Sequence, residues 1–69
     1  MENETDAPIA GDKLRGIRAI AEFIDEPVRR TNYLAEKRLI PVGKEGAIYI
    51  GSKRVLKEHY ARLTAGEAA

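Results

Sequence analysis

His59 and Ser52 are the two side chains of this sequence that could act as a general base and as a nucleophile. His59 is the only histidine, the chain has no cysteine, and no histidine and acid partners for Ser52 are evident. A lone histidine without thiolates cannot form a metal site unless carboxylates join it. We therefore expect Ser52 to cap a helix, His59 to pack against or end one, and the protein to be neither an enzyme nor a cofactor binder.

The glycines do not indicate nucleotide chemistry. Gly43, Gly46 and Gly51 are spaced by three and five residues, and no Gly-Lys-Ser or Gly-Lys-Thr sequence opens a helix. A phosphate-binding loop needs that arrangement, because its backbone amides and its lysine surround the phosphates. Nucleotide-dependent activity is therefore not expected.

Basic side chains offer a different chemistry, the binding of a polyanion. The 69-residue chain has a net charge of +1, but residues 1–12 carry −4 and no base, which leaves +5 on residues 13–69. Such an excess of positive charge on a small domain suits the binding of nucleic acid, although lysine and arginine also solubilise ordinary protein surfaces. Both interpretations of the charge stay open.

Length and hydropathy limit the remaining classes. The chain is long enough for one small domain, and without cysteine its stability must come from packing. No apolar run approaches the ~20 residues of a membrane span, and the N-terminus is acidic where a secretory signal is basic. We expect a cytoplasmic, nucleoid-associated protein that does not bind membranes.

Apolar spacing predicts a first helix from Ile17 to Ile24, followed at once by a second. The sequence Asp25-Glu26-Pro27 breaks the first helix, and Asp25 or Glu26 is expected to cap the second, with Pro27 in its first turn. The second helix covers about residues 27–37. Its inward stripe is predicted to be Thr31, Leu34 and Ala35, with the stem of Arg38 as a further candidate.

The second half of the chain predicts a hairpin and a third helix. Residues 39–43 and 47–50 are β-prone and are separated by a turn at Lys44-Glu45-Gly46. Ser52 is placed to cap a helix over residues 53–64. The apolar side of that helix is predicted to comprise Val55, Leu56, His59, Tyr60 and Leu63.

The predicted elements follow one another as helix, tight turn, helix, hairpin and helix. This order predicts a mostly α protein with a small β-hairpin, a winged helix-turn-helix. Residues 1–12 are expected to be a disordered acidic tail, residues 13–64 the DNA-binding domain, and residues 65–69 a frayed end. In this architecture the second helix enters the major groove and the hairpin lies along the backbone or minor groove.

Arg29 and Arg30 lie in the first turn of the second helix, where arginine can bind guanine O6 and N7 in a bidentate way. Tyr33 could contact a phosphate or a thymine methyl group, and Lys44 at the hairpin tip could contact a phosphate. Three alternatives remain: the arginines as a solvated helix face, Tyr33 folded onto the core, and Lys44 as a plain turn residue. Two carboxylates, those of Glu36 and Glu45, argue against DNA because they repel phosphates.

Four segments carry a family resemblance: Leu14-Arg15-Gly16, Ala19-Ile20-Ala21-Glu22, Leu34-Ala35-Glu36-Lys37, and Ile40-Pro41-Val42 before a glycine-bearing hairpin. Across residues 13–63 the chain resembles small bacterial helix-turn-helix proteins of chromosomes, plasmids and prophages, related to excisionases and to the DNA-binding head of MerR-type regulators. The resemblance implies a winged helix that binds specific double-stranded DNA.

The resemblance implies a recognition helix from Pro27 to Tyr33 and a wing from Lys44 to Ala47. The chain departs from the family pattern at Asp25-Glu26, where relatives usually have a glycine, and at Asn32, a position that is often aromatic. Asparagine can instead contact adenine N6 and N7. The full set of predicted DNA-binding residues is Arg15, Arg18, Pro27, Val28, Arg29, Arg30, Asn32, Tyr33, Lys37, Lys44 and Gly46.

Two functions use the same DNA-binding face. The first is a transcriptional regulator of a prophage-like or mobile region; the alternative is an excisionase that bends DNA and assists an integrase. A third function, of another class, is a protein-binding adaptor. Because the sequence has no heptad helix after Leu63, we expect a monomer whose copies bind adjacent DNA sites cooperatively, with an integrase or RNA polymerase as further candidate partners.

Overall fold

A computed structural model describes residues 9–66 of the chain. The elements in this range are α1 (Ile9–Asp12), β1 (Lys13–Arg15), α2 (Ile17–Ile24), α3 (Val28–Glu36), β2 (Gly43–Glu45), β3 (Ile48–Ser52) and α4 (Lys53–Thr64). The strands form an antiparallel sheet in the order β1-β3-β2. The described chain is therefore mostly helical, with a three-stranded sheet.

The inward stripe predicted for the second helix is confirmed in α3, and α2 also buries one side. In α2, Ile20 and Ala21 are buried, and in α3 the buried residues are Thr31, Leu34 and Ala35. The stripes pack α2 against α3, and the sheet and α4 complete the core around Ile20. The prediction for Arg38 is wrong, because α3 ends at Glu36 and Arg38 is exposed beyond it.

The turn between α2 and α3 differs from the prediction in its capping. Asp25 does not cap α3; it ends α2 in the left-handed conformation, with φ 61°, which aspartate tolerates better than most residues. The residue before α3 is Pro27, whose carbonyl accepts bonds from the amide and the hydroxyl of Thr31, each at 2.9 Å. Pro27 thus precedes the first turn and sets the extended entry into α3.

The hairpin is confirmed, but its first strand begins later than predicted. Strand β2 covers Gly43–Glu45, because Pro41 has no N–H for a ladder. The turn is Gly46-Ala47, and Lys44 is paired with Tyr49 within the ladder instead of lying in the turn. Gly46 has φ 66° at the first turn position, as a type II′ hairpin turn requires.

A strand that the sequence did not indicate, β1, pairs with β3 on the edge opposite β2. Leu14 is opposite Gly51 in this ladder, and the Leu14 side chain is buried. Gly51 allows the sheet to lie close to the core, since a Cβ on it would lie 3.3 Å from Val42 Cγ1 and 3.4 Å from Leu56 Cδ1. The sheet, with Leu56 of α4, therefore closes the core under α2.

The third predicted helix is confirmed as α4, with Ser52 as its N-cap, and its fully buried residue is Leu56. Three other residues of the predicted apolar side are partly buried: Val55, His59 and Tyr60. Leu63 is not on that buried side: it is 46% exposed, in the last turn beyond the core contacts of Leu56 and Tyr60.

The last four residues of the predicted acidic tail are helical. Ile9–Asp12 form a helical turn, and the Asp12 carboxylate accepts hydrogen bonds from Ser52 Oγ and from the Arg54 amide. The ordered domain thus begins before residue 13. The remainder of the predicted tail, residues 1–8, and the end of the predicted frayed segment, residues 67–69, lie outside the described residues.

Candidate nucleic-acid interface

The exposed face of α3 carries most of the predicted site residues. Because Thr31, Leu34 and Ala35 bury one side of this helix, the remaining side chains are directed to solvent. The exposed residues that were predicted from the sequence are Val28, Arg29, Arg30, Asn32 and Tyr33. The Tyr33 side chain is 51% exposed, so it does not fold back onto the core.

Four predicted residues come together around one recess at the start of α3. Pro27, Arg29, Arg30 and Tyr33 line an open recess of about 480 Å³. It combines guanidinium donors with an aromatic ring and a proline ring. Such a set can donate hydrogen bonds to base edges or phosphates and can also contact an apolar group such as a thymine methyl.

The two neighbouring arginines differ in their electrostatic environment. Arg30 Nε lies 3.3 Å from Glu26 Oε1, whereas Arg29 makes no ion pair with any other residue of the described range. Tyr60 of α4 is close enough to respond to both charges. Burial raises the pKa of Tyr60 above its ordinary value, the Glu26 charge raises it further, and Arg30 opposes the increase. As far as residues 9–66 are concerned, Arg29 is therefore the freer of the two cations for a ligand.

The hairpin presents Lys44 on an ordered surface. Lys44 Nζ lies 4.9 Å from the centroid of the Tyr49 ring, its partner across the ladder, in a cation–π arrangement. Lys44 and Glu45 are consecutive in β2, so their side chains are directed to opposite faces of the strand. The Glu45 carboxylate consequently does not share the face of Lys44.

A second recess connects α3 with the hairpin. It has a volume of about 450 Å³ and is lined by Ala35 and Glu36 of α3, by Lys44 and Tyr49 of the hairpin, and by Arg38 from the segment between them. The C-terminal end of α3 and the hairpin thus flank one groove. The groove contains two cations and one carboxylate, that of Glu36.

Three of the basic residues predicted to bind DNA are exposed but line neither recess. Arg15 is on β1, which β3 separates from the hairpin strand β2, and Arg18 is in the first turn of α2. Lys37 follows the last residue of α3. The structure therefore groups Arg29, Arg30, Tyr33 and Lys44 around the recesses flanking α3 and leaves Arg15, Arg18 and Lys37 outside them.

Arg38 is the site residue that the sequence analysis missed. The helical spacing of Thr31, Leu34 and Ala35 continues to position 38, two residues beyond the end of α3, and so predicts the stem of Arg38 in the core. A helix-ending signal such as glycine or proline is missing at position 38, so no local sequence signal placed the end of α3 before it.

The residues first considered for catalysis have structural partners. Ser52 Oγ lies 2.5 Å from Asp12 Oδ2 and accepts from the Val55 amide at 3.3 Å, which are capping contacts. The His59 ring packs edge-on to Tyr60, and its Nε2 is buried without a hydrogen-bond partner among the described residues. Within the same residues, no three His, Cys, Asp or Glu side chains group together as a metal site.

No helix in the described part of the chain has the length and apolar character needed to cross a membrane. In comparisons with known proteins, no protein-family model, curated protein or solved structure matches the chain. The candidate interface is consequently defined by the geometry of α3 and the hairpin.

Proposed function

We propose that this chain is a sequence-specific double-stranded DNA-binding protein of the winged helix-turn-helix kind, related to MerR and excisionase-like proteins and acting without catalysis as a transcriptional regulator. Helix α3 is the recognition helix and the β2–β3 hairpin is the wing. The observation that carries the proposal is that α3, which exposes Arg29 and Arg30 at a recess near its start, flanks with its C-terminal end the same open groove as the hairpin with Lys44.

The dimensions of α3 support its role as the reading element. A helix with its side chains is about 10–12 Å across, and the major groove of B-DNA is about 12 Å wide. The nine residues of α3 bury one face on the protein and leave the other, with Arg29 and Asn32, free to approach base edges. Arginine suits guanine and asparagine suits adenine at those edges.

The hairpin supports the proposal by its charge and its order. The cation–π contact with Tyr49 restricts Lys44 before any ligand binds, so less side-chain entropy is lost on contact with a phosphate. Phosphate contacts fix the register of a protein on the duplex, while base contacts specify the sequence. Lys44 therefore acts as a positioning contact and Arg29 as a reading contact.

Selection from a pool of randomised duplexes tests the proposal. The full chain should enrich one sequence motif, and its affinity for that motif should exceed its affinity for unrelated duplex. A chain that enriches nothing, and whose weak duplex binding is independent of salt, would instead fit a protein-binding adaptor. Mapping of bound sites in the native genome then distinguishes a promoter from a recombination site.

A matched pair of variants separates a specific interface from general charge attraction. The double variant Arg29→Ala with Arg30→Ala and the control Lys53→Ala with Lys57→Ala each remove two positive charges. Lys53 and Lys57 are exposed on α4 and line a different recess, with Phe23 of α2. Loss of the selected motif in the first variant and its retention in the second is the expected result.

A further inference from the structure

Arg38 adopts a backbone conformation that normally belongs to glycine. Its φ is 59°, in the left-handed region, where an L side chain is unfavourable. The Arg38 amide donates to the Ala35 carbonyl at 3.1 Å, and the Leu39 amide donates to the Leu34 carbonyl at 2.8 Å. These two bonds form a Schellman motif that ends α3, and Arg38 occupies the position where glycine is usual.

No contact within the described residues explains the presence of an arginine at this position. The side chain is exposed, and it makes no salt bridge and no hydrogen bond with another described side chain. Within residues 9–66, neither burial nor an ion pair therefore offsets the conformational cost. Residues that remain in unfavourable backbone regions often do so because a functional role requires them.

The position of Arg38 indicates what that role is. It lines the groove between α3 and the hairpin, with Lys44 and Tyr49 on the opposite side. Glu36 also lines this groove, so the three charged groups sum to one positive charge. A guanidinium beside an ammonium on an open surface forms a site for an anion with several oxygens, and arginine binds phosphate in a bidentate way.

We propose that Arg38 binds a DNA backbone phosphate in the groove between α3 and the hairpin, and that an arginine in this left-handed position lowers the stability of the protein relative to glycine. This inference rests on the proposed DNA-binding function and assigns a contact that the sequence did not suggest. Arg38 and Lys44 then hold the DNA backbone from the two sides of the groove, while Arg29 contacts base edges.

The test is Arg38→Gly, which should move stability and affinity in opposite directions. Glycine relieves the left-handed strain, so the unfolding temperature should increase by roughly 4 °C for a domain of this size. Loss of the phosphate contact should weaken binding to selected and unrelated duplex alike, by about fivefold to tenfold. The slope of log affinity against log salt should become shallower by about one.

Two further variants make the result specific. Arg38→Lys keeps a positive charge in the same strained conformation, so it should retain affinity within about threefold and should not be stabilised. Asp25→Gly is the matched backbone control, because Asp25 ends α2 with nearly the same φ, 61°. It should increase the unfolding temperature, by less than Arg38→Gly, and should not weaken the affinity for duplex, because it removes a carboxylate and no cation.

The outcomes distinguish failure of the proposed Arg38 contact from failure of the proposed DNA-binding function. A wild-type chain that binds duplex while Arg38→Gly binds equally well would overturn the role of Arg38 and leave the DNA-binding function standing. A variant that loses both affinity and stability would show that Arg38 is structural, which also overturns the role. A wild-type chain that binds no duplex would overturn the DNA-binding function itself, together with this inference.

Discussion

The Asp12 carboxylate and the Ser52 hydroxyl cap α4 together, although 40 positions separate them in the chain. Ser52 Oγ donates to Asp12 Oδ2 at 2.5 Å and accepts from the Val55 amide, while Asp12 Oδ1 accepts from the Arg54 amide at 2.9 Å. Two of the first amides of α4 are thus satisfied. The contact also joins the segment before β1 to the helix that follows β3.

Asp12 should make the stability depend on pH in the acid range. The hydrogen bond from Ser52, followed by that from the Arg54 amide, lowers the pKa of Asp12 below its ordinary value of 3.8. The unfolded chain therefore takes up a proton first, so this stabilisation is present above pH 3.8 and is lost as the pH falls through the folded pKa. Thermal unfolding across this range should show the loss.

The variants Asp12→Asn and Ser52→Ala check that assignment. Asp12→Asn should unfold at a lower temperature at neutral pH and should lose less stability on acidification than wild type. Ser52→Ala removes the largest cause of the shift, so an NMR titration should find the Asp12 pKa closer to 3.8. An unchanged titration of Asp12 in Ser52→Ala would contradict the capping arrangement.

Truncation of the N-terminus should reveal the same cap. Deleting residues 2–11 retains Asp12 and its bonds to α4, whereas deleting residues 2–12 removes them. The longer deletion is expected to have the lower unfolding temperature by calorimetry, because it leaves the Arg54 amide without its carboxylate. Equal unfolding temperatures for the two truncated chains would show that Asp12 is dispensable.

Sequence patterns predicted the helices well because their signals are local. The spacing of Thr31, Leu34 and Ala35 identified the buried face of α3, and Ser52 identified the start of α4. Strand β1 is three residues long, too short for an alternating pattern, and its place depends on pairing with β3. The Asp12 cap likewise depends on a partner distant in the chain, which no local pattern encodes.

The candidate site, too, could be predicted only where it depends on local sequence patterns. The exposed residues of α3 could be predicted once its buried stripe was identified. The groove with the hairpin could not, because its shape depends on where Lys44 lies in the ladder opposite Tyr49. Arg38 was missed because its left-handed φ ends α3 without the glycine that usually marks this conformation.

Gly51 and Gly43 form a matched pair for the closeness of the sheet to the core. A Cβ on Gly51 would approach Val42 Cγ1 at 3.3 Å, while a Cβ on Gly43 would meet nothing within 4 Å. Gly51→Ala should therefore destabilise the protein by about 1–3 kcal/mol through overpacking. Gly43→Ala should stay within about 0.5 kcal/mol of wild type. Urea unfolding of both variants measures the difference, and equal stabilities would contradict the close approach at Gly51.

Glu26→Gln should free Arg30 and alter Tyr60. Burial raises the pKa of Tyr60, and the Glu26 charge raises it further. In Glu26→Gln that charge is lost, so the Arg30 charge lowers the Tyr60 pKa without opposition from Glu26. The Tyr60 pKa should fall but remain above that of an exposed tyrosine while burial dominates, as an NMR titration of its ring would show. Duplex binding should strengthen, because one acidic group near the α3 recess is removed. An unaltered Tyr60 titration would contradict the proximity of Glu26.

Arg29 and Lys44 should differ in the kind of DNA affinity that they supply. If α3 and the hairpin make about four to six ionic contacts, log affinity should fall with log salt at a slope of about −4 to −5. Arg29→Ala should cost ~1–3 kcal/mol on the selected site and relax its sequence preference, because base edges carry the sequence information. Lys44→Ala should weaken selected and unrelated duplex equally and reduce the slope by about one.

Leu34→Asp provides the folding control for these two variants. Leu34 is 8% exposed between α2 and α3, so a carboxylate there should unfold the protein and abolish every form of DNA binding. Arg29→Ala and Lys44→Ala replace exposed side chains and should keep the wild-type circular dichroism spectrum and unfolding temperature within a few degrees. If folded Arg29→Ala binds the selected site like wild type, α3 does not read the DNA through Arg29, because a base contact cannot be lost without loss of discrimination.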